Sequence, residues 1–160
     1  MATSNPYGSD LGSKDAIAAM AETPQQIRAL VSSWAPALFE KSYAPGKWSA
    51  RLILIHLAQS ELALGNRARM ALSTPNYAAQ SFDQDEWLKK ESSLGGRDAL
   101  DAFVALAVMN RGFFASLTAA DRAVTLSHPE YGALTVEWIL TQMAGHQIHH
   151  LKHLEQVARS

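Results

Sequence analysis

The fold is decided in residues 135–158, which read TVEWILTQMAGHQIHHLKHLEQVA. An α-helix advances by about 100° per residue, so residues four apart lie on the same face. The apolar residues that define the buried stripe of this segment are Ile139, Met143, Leu154 and Val157. His146 and His150 point in nearly the same direction. The pattern therefore predicts a helix, beginning near residue 134 or 135, that presents two histidines one turn apart to the interior.

Two earlier segments show the same periodicity. The first runs from Asp15 to about residue 34, and we expect a break or kink within it. Thr23 is a good N-cap and Pro24 a good first helical residue, so a helix could begin again there. The second segment follows a Pro-Gly turn, is capped by Ser49 and should extend from about residue 50 to 72.

A third helix should be capped by Asp98 and extend to about residue 117. Residues 73–96 form a long polar connection before it, with a short helical piece near residues 85–90. A second polar connection follows at residues 118–132.

No segment alternates apolar and polar residues for long enough to predict a strand, since residues 124–126 do so only briefly. Residues 1–13 are rich in Ser, Gly and Asn and are expected to be an irregular lead-in. Four long amphipathic helices predict an all-α fold, a four-helix bundle that forms one domain over residues 1–160.

The composition excludes several classes of protein. Hydrophobic residues make up 48% of the chain, which is enough for a core, and the net charge of -1 leaves no basic stripe for nucleic acid. The absence of cysteine excludes disulfides, cysteine-ligated metals and a cysteine nucleophile. Apolar runs such as residues 102–109 are too short to cross a membrane, and residues 1–10 lack the features of a signal peptide. We therefore expect a cytoplasmic protein with no membrane or nucleic-acid partner.

The histidine pattern indicates a metal site. Two interior imidazoles one turn apart can both reach one ion, since a Zn–N bond is about 2.0–2.1 Å long. His56, in the segment ILIHLA, is the only other histidine within a strongly apolar helix and is the candidate for a third ligand. Three neutral imidazoles with an open fourth position are typical of catalytic zinc sites rather than of closed structural ones.

Other interpretations of the histidines stay open. A buried histidine often serves only as a hydrogen-bonded core residue. His149 and His153 have the same four-residue spacing, although that pair would direct one ring away from the buried stripe. His128 precedes a proline and is interpreted as a loop residue.

The combination of these motifs resembles the DinB-like family of small helical metalloproteins. The resemblance rests on PGKWS at residues 45–49, on His56 with the Leu, Ala and Glu that follow it, and on the terminal His-x-x-x-His motif. It covers residues 16–157 and implies an up-down-down-up bundle with a long crossover between the second and third helices. It also implies a zinc or nickel ion held by His56, His146 and His150. Some members are transferases or isomerases that use bacillithiol, mycothiol or glutathione, and many form homodimers.

Three functions follow as hypotheses, each with a small molecule as substrate or ligand. A low-molecular-weight thiol, deprotonated by the metal, would attack an electrophile, since the chain has no thiol of its own. Alternatively, metal-activated water would hydrolyse small esters or amides. The third hypothesis is a metal-binding or partner-binding bundle without catalysis.

Five further residues have two interpretations each. Glu61 is the nearest candidate for a general base, but it lies about 140° around the helix from the histidine and suits a solvated surface charge better. Asn110 and Arg111 interrupt an apolar helix and either face the cleft or, as we favour, lie on a solvated face. Tyr43 and Trp48 should pack the end of the bundle, with a substrate role as the alternative.

Overall fold

The computed structural model describes residues 3–160, which are mainly helical. In chain order the elements are α1 (Gly8–Leu11), α2 (Ala16–Val31), α3 (Pro36–Phe39), α4 (Ala50–Ser73), α5 (Gln84–Glu91), α6 (Gly96–Ala115), α7 (Ala119–Arg122), β1 (Thr125–His128), β2 (Gly132–Thr135) and α8 (Val136–Ala158). Among these residues, no helix combines the length and the apolar character that crossing a membrane requires.

The four long helices α2, α4, α6 and α8 form a bundle, which confirms the predicted fold class. Both α2 and α4 pack against α6 and against α8. Because the helices run up-down-down-up, α4 and α6 are parallel, and residues 74–95 must return the chain along the bundle between them. The packing of α4 on α8 positions the site described below.

Side-chain caps explain where two of these helices begin. The Ser49 hydroxyl accepts a hydrogen bond from the backbone N–H of Leu52 at the start of α4. Thr135 accepts from the N–H of Trp138 at the start of α8. Each cap satisfies a donor that the helix itself leaves free. The predicted starts of the second and fourth helices are confirmed, and the short helical piece predicted near residues 85–90 is α5.

Of the predicted break or kink at Pro24, the break is wrong, because α2 is continuous from Ala16 to Val31. Its cap is Asp15, which accepts from the N–H of Ala18 at 2.8 Å. A proline inside a helix removes one backbone hydrogen bond. Here both Thr23 and Pro24 are buried against the rest of the bundle, so the tertiary packing of this face outweighs the lost bond.

The predicted cap of the third helix is also wrong. The N-cap is Gly95, the helix begins at Gly96, and Asp98 lies in the first turn, where an acid still interacts favourably with the helix dipole. Gly96 is required because a side chain there would overlap the buried ring of Phe39. The sequence pattern did not reveal this contact, since α3 and α6 are far apart in the chain.

A β-hairpin lies where no strand was predicted. Strands β1 and β2 pair antiparallel, with the buried residues Leu126 and Leu134 opposite each other. The backbone of Ser127 also bonds to Ala79 and Tyr77 in the long crossover, which supports the hairpin from outside. His128 is the last residue of β1 and is buried, so its interpretation as a loop residue is corrected. These strands are too short to have a periodicity of their own, and tertiary pairing creates them.

The lead-in expected at residues 1–13 is not wholly irregular. Residues 1 and 2 lie outside the described residues, and the remainder contains α1. The backbone of Tyr7 passes so close to Gly145 of α8 that a side chain at Gly145 would overlap it. This close approach places the Tyr7 ring beside His146, with ring centroids 4.9 Å apart.

Two glycines of α6 should respond in opposite ways to replacement by alanine. Gly96→Ala overlaps the Phe39 ring and should lower the free energy of unfolding by about 1–3 kcal/mol. In Gly112→Ala the added methyl group has no atom within 4 Å, and the substitution should raise the free energy of unfolding by about 0.5–1 kcal/mol through helix propensity. Urea unfolding of both variants is the measurement. Equal effects of the two substitutions would contradict the packing described for Gly96.

Candidate metal centre

The three histidines predicted to form one site lie together at the α4–α8 contact. His56 comes from α4, and His146 and His150 come from successive turns of α8. All three are buried, and each offers one ring nitrogen within 4.8 Å of the other two. The Nε2 atoms of His56 and His146 are 2.9 Å apart. The helical phase of the sequence therefore identified the residues that the fold brings together.

This arrangement fits one divalent ion. Nitrogen ligands of a tetrahedral zinc, each about 2.0–2.1 Å from the metal, lie roughly 3.3 Å from one another. The 2.9 Å separation of His56 and His146 is close to that value, and one ring nitrogen of His150 lies within 4.8 Å of both. Three ligands leave a position open for a further molecule.

Burial keeps the three rings uncharged. It lowers the pKa of His56 to about 4 and holds the pKa values of His146 and His150 well below the ordinary value for histidine. Mutual repulsion among the rings lowers the latter two pKa values further. The imidazoles are therefore neutral near pH 7, which is the form that binds metals.

The other two histidines of α8 have partners of their own. His149 is half-buried, and its Nδ1 lies 3.1 Å from the Asp10 carboxylate. His153 stacks on Tyr43 with ring centroids 3.9 Å apart, and its Nδ1 lies 3.4 Å from the Nδ1 of His150. His149 and His153 therefore border the three-histidine cluster without belonging to it, and His153 contacts the ring of His150.

The aromatic residues before α4 also contact histidines. Trp48 packs against the His56 ring with centroids 4.9 Å apart, while Tyr43 stacks on His153. These two aromatic side chains close the end of the bundle around the cluster, as expected of packing residues. The Nδ1 of His56 is buried there without a hydrogen-bond partner among residues 3–160.

Glu61 is not a solvated surface charge, because it is only 3% exposed. The side-chain amides of Asn110 and Gln147 donate to its two carboxylate oxygens at 2.7 and 2.6 Å. Burial raises the pKa of Glu61 to about 7, although both hydrogen bonds act in the opposite direction. Both carboxylate oxygens of Glu61 are already hydrogen-bonded, and Glu61 does not line the cavity described below. It is therefore poorly placed to act as a general base.

Asn110 is also buried, so its assignment to a solvated face is wrong. The side-chain oxygen of Asn110 accepts a hydrogen bond from Arg69 at 2.7 Å. Gly65 has no side chain, which leaves space for the Asn110 amide. Phe103, Ala107 and Phe114 form an apolar stripe on α6, and their spacing places Asn110 on the same stripe. The burial of Asn110 could therefore have been predicted from the sequence. Arg111, its neighbour, is half-buried and does not line the cavity.

A cavity of about 200 Å³ adjoins the histidine cluster, and His56 and His146 form part of its wall. The other residues that matter to its chemistry are Tyr7, Arg67, Phe82, His128, Tyr131 and Gln142. Sequence reasoning did not single out Arg67, Tyr131 or Gln142. Gln142 lies one turn before His146 and could have been found from helical phase, whereas Tyr131 reaches the cavity through the unpredicted hairpin.

The chain is similar to several known proteins. A Halalkalibacterium halodurans protein, named as a candidate metal-dependent hydrolase, is 26% identical over 134 residues, which cover 83% of this chain and 78% of that protein. Bacillus subtilis YfiT, named in the same way, is 24% identical over 151 residues, which cover 89% of this chain and 82% of YfiT.

Two solved structures share the fold. A structure of YfiT, described as having an unusual four-helix bundle topology, matches with a TM-score of 0.83 at 22% identity, covering 90% of this chain and 84% of that one. A mycothiol-dependent maleylpyruvate isomerase matches with a TM-score of 0.73 at 14% identity, covering 91% of this chain and 62% of that one. Residues 19–154 match the sequence profile of the DinB superfamily, a span that takes in all four bundle helices and the three clustered histidines. The chain therefore belongs to the DinB superfamily.

Proposed function

We propose that this protein is a metal-dependent enzyme in which His56, His146 and His150 hold one divalent ion, zinc or nickel. The observation that carries the proposal is the meeting of three buried, neutral imidazoles from two helices, of which His56 and His146 form part of the wall of a cavity. Imidazole ligands suit both metals. The names of the relatives, which describe metal-dependent hydrolases, support a metal at this position.

The chemistry follows from the charge of the ligand set. When bound to three neutral imidazoles, a divalent ion keeps its full charge and lowers the pKa of a thiol or a water in its open position. The protein supplies a buried, largely apolar surrounding through the core on both sides of the cluster. Glu61, the one buried carboxyl group among residues 3–160, is already bonded to two amides. Activation of a nucleophile at this site therefore depends on the ion rather than on a side-chain base.

The reaction we favour is transfer of a low-molecular-weight thiol to a small electrophilic molecule. The thiol gives its proton to solvent, and its sulfur forms a bond to an electrophilic carbon of the substrate. The bond from that carbon to the leaving group breaks, and the leaving group departs with the electron pair and takes up a proton from solvent. The chain contains no cysteine, so the thiol must arrive as a cosubstrate. The fold shared with a mycothiol-dependent isomerase supports this choice.

Hydrolysis of small esters or amides is the second candidate. It is favoured by the names of the relatives, which describe hydrolases. It would use the same three histidines and the same cavity, with water in place of the thiol.

The metal ligands can be tested by elemental analysis of protein purified without a histidine tag. We expect about one divalent ion per chain in the wild type and its loss in His56→Ala, His146→Ala and His150→Ala, since two imidazoles hold an ion far less tightly than three. His149→Ala is the matched control, because that residue is adjacent on α8 but bonds to Asp10. If all three ligand variants keep full occupancy, the assignment is wrong.

The reaction can be tested by conjugation of a generic electrophile with bacillithiol, mycothiol, glutathione and cysteine, each with and without added metal. We expect a rate that requires both a thiol and the metal, and that His150→Ala abolishes without loss of helical circular dichroism. Metal-dependent hydrolysis of esters or amides, with no thiol-dependent rate, would establish the second candidate instead. Inactivity in both assays would leave a non-catalytic metal-binding bundle.

A further inference from the structure

Two residues on the wall of the cavity beside the histidines each have a buried polar atom without a partner among residues 3–160. The atoms are the Nε2 of His128 and the Oε1 of Gln142, and the two residues are 5% and 8% exposed. Buried polar groups in native proteins are nearly always hydrogen-bonded, because an unpaired one loses its interaction with water and gains nothing in return. A polar ligand in the cavity would complete both atoms after a small movement of the two side chains, since neither atom now has appreciable accessible surface.

His128 must offer a hydrogen-bond donor to that cavity. Its Nδ1 accepts from the backbone N–H groups of Glu130 and Tyr131, at 3.2 and 3.4 Å, so Nδ1 carries no hydrogen. In a neutral imidazole the hydrogen is then on Nε2. Burial and the nearby charge of Arg67 both lower the pKa of His128, which keeps the ring in this neutral form.

Arg67 adds a positive charge to the same wall. It is half-buried on α4, and its Nη2 donates to the backbone oxygen of Gln80 at 2.6 Å. Arg67 forms no salt bridge in the described part of the chain, although burial lowers its pKa and the charge of Glu130 raises it. Glu130 also borders the cavity, but its side chain is exposed and can point into water. The guanidinium therefore has donors available for an anion.

Gln142 is compatible with an anionic ligand. Rotation of its amide by half a turn exchanges oxygen and nitrogen and would present N–H donors to the cavity. The cavity has a volume of about 200 Å³ and is partly open to solvent, so it suits a small ligand without enclosing it. A cavity of about 150 Å³ holds one benzene molecule, so this one suits a molecule of about the size of benzoate.

We infer that the cavity binds the carboxylate of a small organic acid, with the Arg67 guanidinium and the His128 Nε2–H as donors. Arginine's planar fork matches a carboxylate with two parallel hydrogen bonds. The inference deepens the proposed function and rests on it in one respect: the reactive end of the acid would face His56 and His146, the two clustered histidines on the cavity wall. Binding of the carboxylate itself does not require the metal.

Calorimetric titration of the purified protein with benzoate, and with uncharged benzamide as the matched ligand, tests the inference. Benzoate should bind more tightly than benzamide, and Arg67→Gln should weaken benzoate by about tenfold or more while leaving benzamide nearly unchanged. Arg67→Lys keeps the charge but lacks the planar guanidinium fork, so its affinity for benzoate should lie between those of the wild type and Arg67→Gln. Arg111→Gln, a half-buried arginine outside the cavity, is the control and should bind both ligands as the wild type does.

Three results would overturn the inference: no saturable benzoate binding, equal affinity for benzoate and benzamide, or an unchanged benzoate affinity in Arg67→Gln. If circular dichroism shows that Arg67→Gln does not fold, Arg67→Lys takes its place, and an unchanged benzoate affinity in that variant would overturn the inference. The metal content of each sample, measured in parallel, separates this inference from the proposed function. Absence of metal together with Arg67-dependent benzoate binding would contradict the metal centre and support the carboxylate site.

Discussion

The packing of α4 against α8 is the contact on which the rest of the structure depends. It buries His56 among Ile53, Ile55 and Leu57, and it brings the neighbouring helix close enough for its two histidines to meet that ring. An imidazole in such surroundings is neutral, since burial disfavours its charged form. The same contact therefore builds the core and holds three imidazoles together in the neutral form that metal binding requires.

A second interaction fixes the rotation of α8 about its axis. Gln147 donates to Glu61 of α4, and the same carboxylate accepts from Asn110 of α6, so one buried group joins three of the four bundle helices. Gln147 follows His146 directly in the chain. Turning α8 by one residue, about 100°, would break this bond and move His146 away from His56. Leaving a buried carboxyl group unpaired is costly, which makes the observed rotation strongly preferred.

Local signals in the sequence predicted the parts of the fold that depend on local chemistry. Ser49 marks the start of α4, and the four-residue spacing of His146 and His150 placed both on the buried face. Contacts between distant segments could not be predicted in this way. The β-hairpin depends on bonds from Ser127 to the crossover, and Tyr7 reaches the site only because Gly145 lets the chain pass. Glu61 was misjudged for the same reason, since its partners lie on two other helices.

The central claim is that one metal ion lies between His56, His146 and His150. Anomalous diffraction from crystals of the untagged protein, recorded on both sides of the absorption edge of the metal found by elemental analysis, tests it most directly. The account predicts a single anomalous peak within bonding distance, about 2.0–2.2 Å, of one nitrogen from each of the three rings. A peak at His149 and His153, or no peak at the cluster in protein that contains stoichiometric metal, would contradict it.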